Sequence, residues 1–161
     1  MARLEHPIPP LWRPDSRILI LGSFPSPKSR EQAFFYGHPQ NRFWRVLAAV
    51  WETDVPRTVE EKTAFLCDRR IALWDVIASC EIEGASDASV RDAVPNDLTP
   101  ILRDAPISAI CTTGGTAHRL YTRLIAPITG RPAIALPSTS PANARMSLDA
   151  LVDAYRILRT L

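Results

Sequence analysis

The sequence contains few cysteines and no long apolar run, and each scarcity excludes a class of protein. Its three cysteines, Cys67, Cys80 and Cys111, are odd in number and widely spaced, so they indicate neither a disulfide framework nor a zinc-ligand set. We expect reduced, buried thiols. No stretch approaches the roughly 20 apolar residues of a membrane span, and residues 1–16 lack the apolar segment of a secretion signal. We therefore expect a soluble, cytoplasmic protein without a membrane partner.

Two glycine-containing segments lack the residues of the common nucleotide-binding motifs. GSFPS at 22–26 does not contain the GxGxxG pattern, and TTGGTAHR at 112–119 has no lysine of a phosphate-binding loop. Nucleoside triphosphates are therefore not expected as ligands. The net charge of +2 is too small to identify a nucleic-acid-binding protein by itself, although a local basic face is compatible with it.

The composition is that of an ordinary globular protein. Hydrophobic residues make up 46% of the chain and charged residues 22%, which excludes a disordered or low-complexity chain. The length of 161 residues predicts a single domain over residues 1–161. Four prolines within residues 1–16 predict an extended lead-in to that domain.

Short apolar runs alternate with helical patterns along the chain. Strands are predicted at 18–21, 71–77, 107–111 and 133–136. Helices are predicted from Asn41 onward, at 58–70, at 101–105, at 116–126 and from Ser147 onward. Residues 79–100 are small and polar, and we predict a long loop there. The alternation predicts an α/β fold with three α/β/α layers around a central four-stranded, mainly parallel sheet.

Small and polar residues follow each of the four predicted strands. These segments are GSFPS at 22–26, WDVIASC at 74–80, TTGG at 112–115 and PSTSPANA at 137–144. We expect them to form one crevice, because ligands bind at the carboxyl ends of parallel strands. PSTSPANA offers three hydroxyl groups and Asn143 near a helix start, a setting for an anion such as a phosphate. Capping of the last helix would explain the same residues equally well.

Three side chains near this crevice have both a structural and a functional interpretation. His38 could be a general base, but a histidine beside a proline at a helix start favours the structural role. Asp75 ends a buried strand, where it either bonds backbone N–H groups or contacts a ligand in the crevice. Asn41 is favoured as a helix N-cap, yet a neutral amide can also hold a water by donating and accepting hydrogen bonds at once.

Five segments in order resemble the uracil-DNA glycosylase superfamily. They are GSFPS at 22–26, FYGHPQNRFW at 35–44, ALWDVIASC at 72–80, VPNDL at 94–98 and LPSTSPANA at 136–144. No single segment is specific, but five in order are, and the resemblance covers roughly residues 16–158. Within the superfamily they most resemble the hypoxanthine-DNA (deoxyinosine) glycosylase branch. The resemblance implies a uracil-DNA glycosylase-like fold.

The resemblance implies a monofunctional DNA glycosylase acting on hypoxanthine, the base formed by deamination of adenine. Such an enzyme hydrolyses the N-glycosidic bond and leaves an abasic site in the DNA. It needs no cofactor and no metal, because neutral water attacks a sugar cation and the leaving group is a stabilised heterocycle. Lys28 and Lys62 are the only lysines and neither is near the proposed nucleophile position, so a Schiff-base lyase is not indicated. We expect a monomer that binds DNA containing a deaminated base.

The resemblance also implies roles for individual residues. Asn41 of the HPQN segment activates the attacking water, Tyr36 stacks on the flipped base, and Asp75 contacts the edge of that base. Backbone N–H groups at 22–24 contact the base carbonyl or the departing anion. The predicted base pocket consists of Gly22, Ser23, Phe24, Tyr36, His38 and Asp75. Contacts to the DNA backbone are expected from Lys28, Arg30, Ser138, Thr139, Ser140, Asn143 and Arg145.

The sequence departs from the wider superfamily at three positions. Phe24 stands where most branches have an Asn or Asp that orients the water. Leu136 and Ser140 stand where many relatives have a His or Asn and a leucine wedge. These departures argue against an efficient uracil enzyme. The alternatives are a uracil or G/T-mismatch glycosylase of the same fold, a damaged-DNA-binding module without activity, and a small-molecule α/β enzyme with an anion site at 137–144.

Overall fold

The structure is a computed structural model that describes residues 3–83 and 87–161. A sheet of four parallel strands lies at its centre. The described residues form seven strands in two sheets: β1 Arg3–Glu5, β2 Ile18–Gly22, β3 Ile71–Asp75, β4 Ile77–Glu81, β5 Arg91–Pro95, β6 Ala109–Thr113 and β7 Ile134–Leu136. The central sheet has the order β3-β2-β6-β7. Each of its pairings is parallel, which confirms the predicted sheet.

Both faces of the central sheet are buried. Ile18 and Ile20 of β2 join one hydrophobic cluster, whereas Leu19 and Leu21 join a second cluster on the other face. The division arises because successive side chains of a strand point to opposite sides. A continuous apolar run is therefore the pattern of a strand that is covered on both sides.

Helices cover the two faces and give the predicted three layers. They are α1 Pro27–Gln32, α2 Phe43–Val50, α3 Val59–Asp68, α4 Thr99–Asp104, α5 Gly115–Leu120, α6 Ala126–Thr129 and α7 Leu148–Tyr155, with a π-helical turn at Tyr121–Ile125 and 3₁₀ helices at Asp87–Ser89 and Arg156–Thr160. Helices α2, α3 and α7 pack in the cluster that contains Ile18, and α4 and α5 pack in the opposite one. Among the described residues, every helix is too short or too polar to cross a bilayer.

Helix boundaries follow the capping residues. Thr58 and Glu61 form a reciprocal capping box at the start of α3, and Ser147 caps α7 by accepting a hydrogen bond from the backbone of Ala150. Both helices begin where the sequence predicts. The predicted start of α2 at Asn41 is too early, because the helix begins at Phe43.

A second sheet, which is antiparallel, corrects two predictions. Its order is β1-β4-β5. The predicted lead-in at 1–16 therefore contains the strand β1, and the predicted loop at 79–100 contains β5 and part of β4. The stretch of that loop at 84–86 lies outside the described residues. Strand β5 has mostly exposed and half-buried residues rather than a continuous apolar run, so the apolar pattern does not reveal it.

The predicted strand at 71–77 is divided after Asp75. The side chain of Asn96 donates to the backbone carbonyls of Asp75 at 2.9 Å and of Ile77 at 3.2 Å. The backbone N–H of Asn96 also donates to the carbonyl of Val76 at 2.7 Å. These bonds satisfy the backbone where the chain passes from the central sheet to the second sheet. Asp75 consequently stands at the carboxyl edge of the central sheet.

Tyr155 attaches the loop after β7 to the core. Its side chain is fully buried in α7, and its hydroxyl donates a hydrogen bond to the backbone carbonyl of Pro137 at 2.5 Å. Burial raises the pKa of Tyr155 well above its usual value, so the hydroxyl keeps the proton that it donates. The first residue of the loop after β7 is thereby held in place.

Replacing Tyr155 by phenylalanine should destabilise the protein. The ring still fills its site, but the carbonyl of Pro137 loses its donor, and we expect the free energy of unfolding to fall by roughly 0.5–1.5 kcal/mol. Urea denaturation at pH 7 measures this difference. An unchanged free energy of unfolding in Tyr155→Phe would show that the hydrogen bond contributes nothing.

Candidate active site

A cavity of about 870 Å³ lies at the carboxyl edge of the central sheet, and this volume is typical of ligand-binding pockets. Each of the four segments predicted to form a crevice contributes to its wall. The predicted site residues that line it are Gly22, Ser23, Phe24, Tyr36, His38, Asn41, Asp75, Ser138, Thr139, Ser140 and Asn143. The structure therefore brings together both sets of candidate residues, except for the three cationic side chains described below.

Asn41 is half-buried in the cavity wall, just before α2. Its Oδ1 accepts a hydrogen bond from the backbone N–H of Phe43 at 2.9 Å and a second from the hydroxyl of Thr139 at 2.8 Å. Because these two donors use both lone pairs of the amide oxygen, the NH₂ group is the part of Asn41 that can contact a bound water. This corrects the expectation that the amide both donates to and accepts from that water.

Thr139 holds Asn41 rather than facing solvent. Its side chain is 1% exposed, and its hydroxyl is already engaged by Asn41. The backbone carbonyl of Thr139 also accepts from the N–H of Arg42 at 3.0 Å. This position suits a residue that orients Asn41 more than one that contacts a phosphate.

The PSTSPANA loop is organised by hydrogen bonds within itself and to Arg42, the residue directly before α2. The amide of Asn143 donates to the carbonyl of Ser138 at 2.9 Å, and the Ser138 hydroxyl accepts from the N–H of Ser140 at 3.1 Å. Arg42 donates to the carbonyls of Met146 and Asn143 at 2.6 and 3.0 Å. Ser147 caps the last helix, so the hypothesis that the loop hydroxyls do so is wrong. Sequence patterns gave no signal for the role of Arg42.

Tyr36 has a strained backbone and a fixed ring. Its φ angle is +52°, in the left-handed region that residues other than glycine rarely adopt. One face of the ring stacks on Phe43 with 3.8 Å between centroids and 10° between planes. The hydroxyl shares a hydrogen bond with the Thr113 hydroxyl at 3.0 Å. The ring is therefore held rigidly at the cavity, with Phe43 occupying one of the two faces on which a base could stack.

His38 shapes the turn that leads to Asn41. Its Nδ1 accepts a hydrogen bond from the backbone N–H of Gln40 at 3.1 Å, and its carbonyl accepts from the N–H of Asn41 at 2.9 Å. The side chain is half-buried and lines the cavity. These contacts support the structural interpretation of His38 that the sequence favours.

Asp75 is paired with a histidine that the sequence analysis did not select. Its Oδ2 lies 2.7 Å from His6 Nε2, and the two side chains are only 6% and 3% exposed. A Cβ atom at Gly22 would lie 2.5 Å from Asp75 Oδ1 and 3.2 Å from the hydroxyl of Tyr36. Only glycine at this position lets the carboxylate and the phenol approach the end of β2 so closely.

Three cationic side chains predicted to contact DNA lie outside the cavity wall. Lys28 is exposed, and its Nζ lies 3.6 Å from Glu31 Oε2. Arg145 is also exposed and follows the PSTSPANA loop in the sequence. The guanidinium of Arg30 lies over the ring of Phe24, 5.7 Å from its centroid. Lys28 and Arg145 are thus adjacent in sequence to segments that line the cavity, whereas Arg30 supports the wall itself.

The site contains neither a metal cluster nor an activated thiol among the described residues. No group of three or more His, Cys, Asp or Glu side chains in these residues is placed to hold a metal ion. Burial raises the pKa of Cys111 to about 12, so its sulfur is a neutral thiol rather than a nucleophilic thiolate at neutral pH. The polar groups in the cavity wall include the Asn41 amide, the Asp75 carboxylate, the His38 imidazole and several hydroxyls.

The chain matches one family of known proteins over most of its length. Residues 9–159 match the family model of the uracil DNA glycosylase superfamily. A hypoxanthine DNA glycosylase of Methanosarcina acetivorans is 34% identical over 89% of this chain and 91% of its own length. A hypoxanthine DNA glycosylase of Methanosarcina barkeri is 32% identical over 85% and 87%.

A solved structure agrees with the fold as well as with the sequence. The solution NMR structure of a protein from Methanosarcina acetivorans superposes with a TM-score of 0.78 at 31% identity, covering 94% of this chain and 96% of that one. The family match spans nearly the whole chain, including every strand of the central sheet. The chain therefore belongs to the uracil DNA glycosylase superfamily.

Proposed function

We propose that the protein is a monofunctional DNA repair glycosylase that removes hypoxanthine from DNA and leaves an abasic site. Membership of the superfamily supports a DNA glycosylase, and relatives named hypoxanthine DNA glycosylase at 32% and 34% identity support the choice of base. The observation that carries the proposal is the position of Asn41, whose amide lies in the cavity wall with its oxygen already engaged. The enzyme acts as a monomer in the cytoplasm, a location that fits three cysteines without a disulfide bond among the described residues.

The cavity holds the flipped base by its edge and by one face. Hypoxanthine presents an N1–H donor beside its O6 acceptor, so Asp75 Oδ1 accepts from N1–H and backbone N–H groups at 22–24 donate to O6. The ring of Tyr36, which lines the cavity, packs on the base. As the bond to the sugar breaks, negative charge develops on the base, and the same N–H groups stabilise it.

Asn41 positions the water that attacks the sugar. Its NH₂ group donates to one lone pair of the water, so the other lone pair is directed at C1′. The C1′–N9 bond breaks with its electron pair remaining on the base, and the water oxygen forms the new bond to C1′. The proton released by the water passes to the departing base or to solvent. Asn41 therefore acts by position and not as a base.

Changing Asn41 to alanine should abolish most excision while preserving the fold. The water loses its donor, and we expect single-turnover excision of hypoxanthine to slow by about 100-fold or more. The formation of alkali-labile abasic sites in a labelled inosine duplex measures the rate. The matched control is Gln40→Ala, which truncates the exposed neighbour and should keep the wild-type rate.

A panel of duplexes tests the choice of base independently of Asn41. The panel contains inosine, uracil or thymine, each opposite a suitable partner, and we expect inosine to be cut fastest by the wild-type protein. Faster uracil or thymine excision would make the protein a uracil or mismatch glycosylase. Binding to inosine DNA without any cleavage would make it a damage-binding module.

Thr139 offers a test of how the Asn41 amide is oriented. Thr139→Val keeps the shape of the side chain but removes the hydroxyl that donates to Asn41 Oδ1. We expect the excision rate to fall by about 10-fold or more because the amide can then rotate. Thr139→Ser retains the hydroxyl and should stay within about 3-fold of the wild-type rate. Equal excision rates for the valine and serine variants would show that the Thr139 hydroxyl does not orient the Asn41 amide.

Arg145 tests the proposed contact with the DNA backbone. Arg145→Ala should weaken binding to a duplex with a non-cleavable 2′-fluoro inosine, and the slope of log Kd against log salt should decrease by about 1. Arg17→Ala is the control, because Arg17 is an exposed arginine directly before β2, at the opposite edge of the sheet. Fluorescence anisotropy at several salt concentrations measures both. An equal effect of the two substitutions would contradict a specific contact at Arg145.

A further inference from the structure

The second sheet places a histidine against the base pocket. The backbone N–H of His6, directly after β1, donates to the carbonyl of Ala78 in β4 at 2.7 Å. The ring of His6 is bordered edge-on by Phe24 at 5.8 Å and by Trp74 at 6.2 Å. These contacts fix both the backbone and the ring of a residue 69 positions away from its partner Asp75.

The hydrogen bonds of the ring decide which nitrogen carries the proton. Nδ1 of His6 accepts from the backbone N–H of Ile8 at 3.2 Å, so the hydrogen of a neutral ring is on Nε2. That hydrogen is donated to Asp75 Oδ2 at 2.7 Å. Among the described residues, His6 is the basic side chain within ion-pair distance of Asp75. The hydrogen bond from His6 therefore offsets the cost of burying the Asp75 carboxylate, and His6 itself does not line the cavity.

The two oxygens of Asp75 consequently have different surroundings. Oδ2 is bonded to His6, whereas Oδ1 lies beside Gly22 and near the hydroxyl of Tyr36. Asp75, Gly22 and Tyr36 line the cavity. We propose that His6 is a positioning residue for base selection, holding Asp75 so that Oδ1 is presented as an acceptor to the ring N–H of the flipped base. This inference rests on the proposed function.

Such an acceptor favours hypoxanthine over the undamaged base. Hypoxanthine has a hydrogen on N1 and donates it to Oδ1, whereas adenine has a lone pair on N1 that faces the carboxylate unfavourably. The carbonyl O6 of hypoxanthine can accept hydrogen bonds from the backbone N–H groups at 22–24, whereas the amino group of adenine is itself a donor and cannot. The His6–Asp75 pair therefore allows the cavity to reject adenine, which is far more abundant in DNA.

Paired substitutions of His6 test this role. His6→Leu removes the donor, and we expect kcat/KM for an inosine duplex to fall by about 10- to 100-fold. His6→Gln can restore an N–H near the position of Nε2 and should recover most of that loss. The structural control is Leu4→Ala, which loosens β1 at a partly buried residue without contacting Asp75 and should leave kcat/KM unchanged.

A second substitution decides the matter even if His6→Leu does not fold. In Asp75→Asn, the His6 donor selects the amide oxygen, so the NH₂ group faces the cavity and meets the N1–H of hypoxanthine. We expect this variant to be folded and to lose about 10-fold or more of kcat/KM for inosine. Wild-type excision of inosine by Asp75→Asn would overturn the inference.

The remaining outcomes separate the inference from the proposed function. If the wild-type protein releases hypoxanthine but His6→Leu is equally active, or if His6→Gln is as impaired as His6→Leu, the inference fails and the proposed function stands. If Leu4→Ala lost as much kcat/KM for inosine as His6→Leu, the role of His6 would be structural only, and the inference would also fail. If the wild-type protein releases no hypoxanthine, the proposed function fails and the inference falls with it.

Discussion

The proposed active site depends on two hydrogen bonds to one oxygen atom, Asn41 Oδ1. The hydroxyl of Thr139 donates from the loop after β7, and the N–H of Phe43 donates from the start of α2. Turning the amide over would put its NH₂ group against these two donors, so the orientation is fixed by the cost of losing both bonds. Arg42 and Tyr155 hold the same loop through its backbone carbonyls. The two donors that contact the amide oxygen are both neutral groups, and Arg42 acts only on the backbone of the loop.

The parts of the fold that the sequence predicts are those encoded by local patterns. The apolar runs around Ile20, Leu73 and Cys111 predict strands because a strand buried on both faces has no room for polar residues. Strand β5 is half-exposed, and β1 has three residues, so neither leaves such a pattern. The capping residues at 58 and 147 predict helix starts correctly, whereas α1 goes undetected although Ser26 and Pro27 are a known pair of start signals.

The location of the candidate site could be predicted from the sequence, but the partners of its side chains could not. Parallel strands bring their carboxyl ends to one edge, so the sequence could predict that the four segments after the strands share a cavity. It could not predict the partners of Asn41 and Asp75. Thr139 is 98 residues from Asn41, and His6 is 69 residues from Asp75; these contacts exist only because the β7 loop packs on α2 and β1 pairs with β4. Long-range pairs of this kind leave no local signature.

The most direct test of the account is a crystal structure of the protein bound to a duplex containing 2′-fluoro inosine, which resists cleavage. The account predicts an ordered water at about 3 Å from Asn41 Nδ2, placed on the far side of C1′ from the base, with Oδ1 still bonded to Thr139 and Phe43. A flipped amide with Oδ1 toward the water, or an Asn41 that contacts neither water nor DNA, would contradict it.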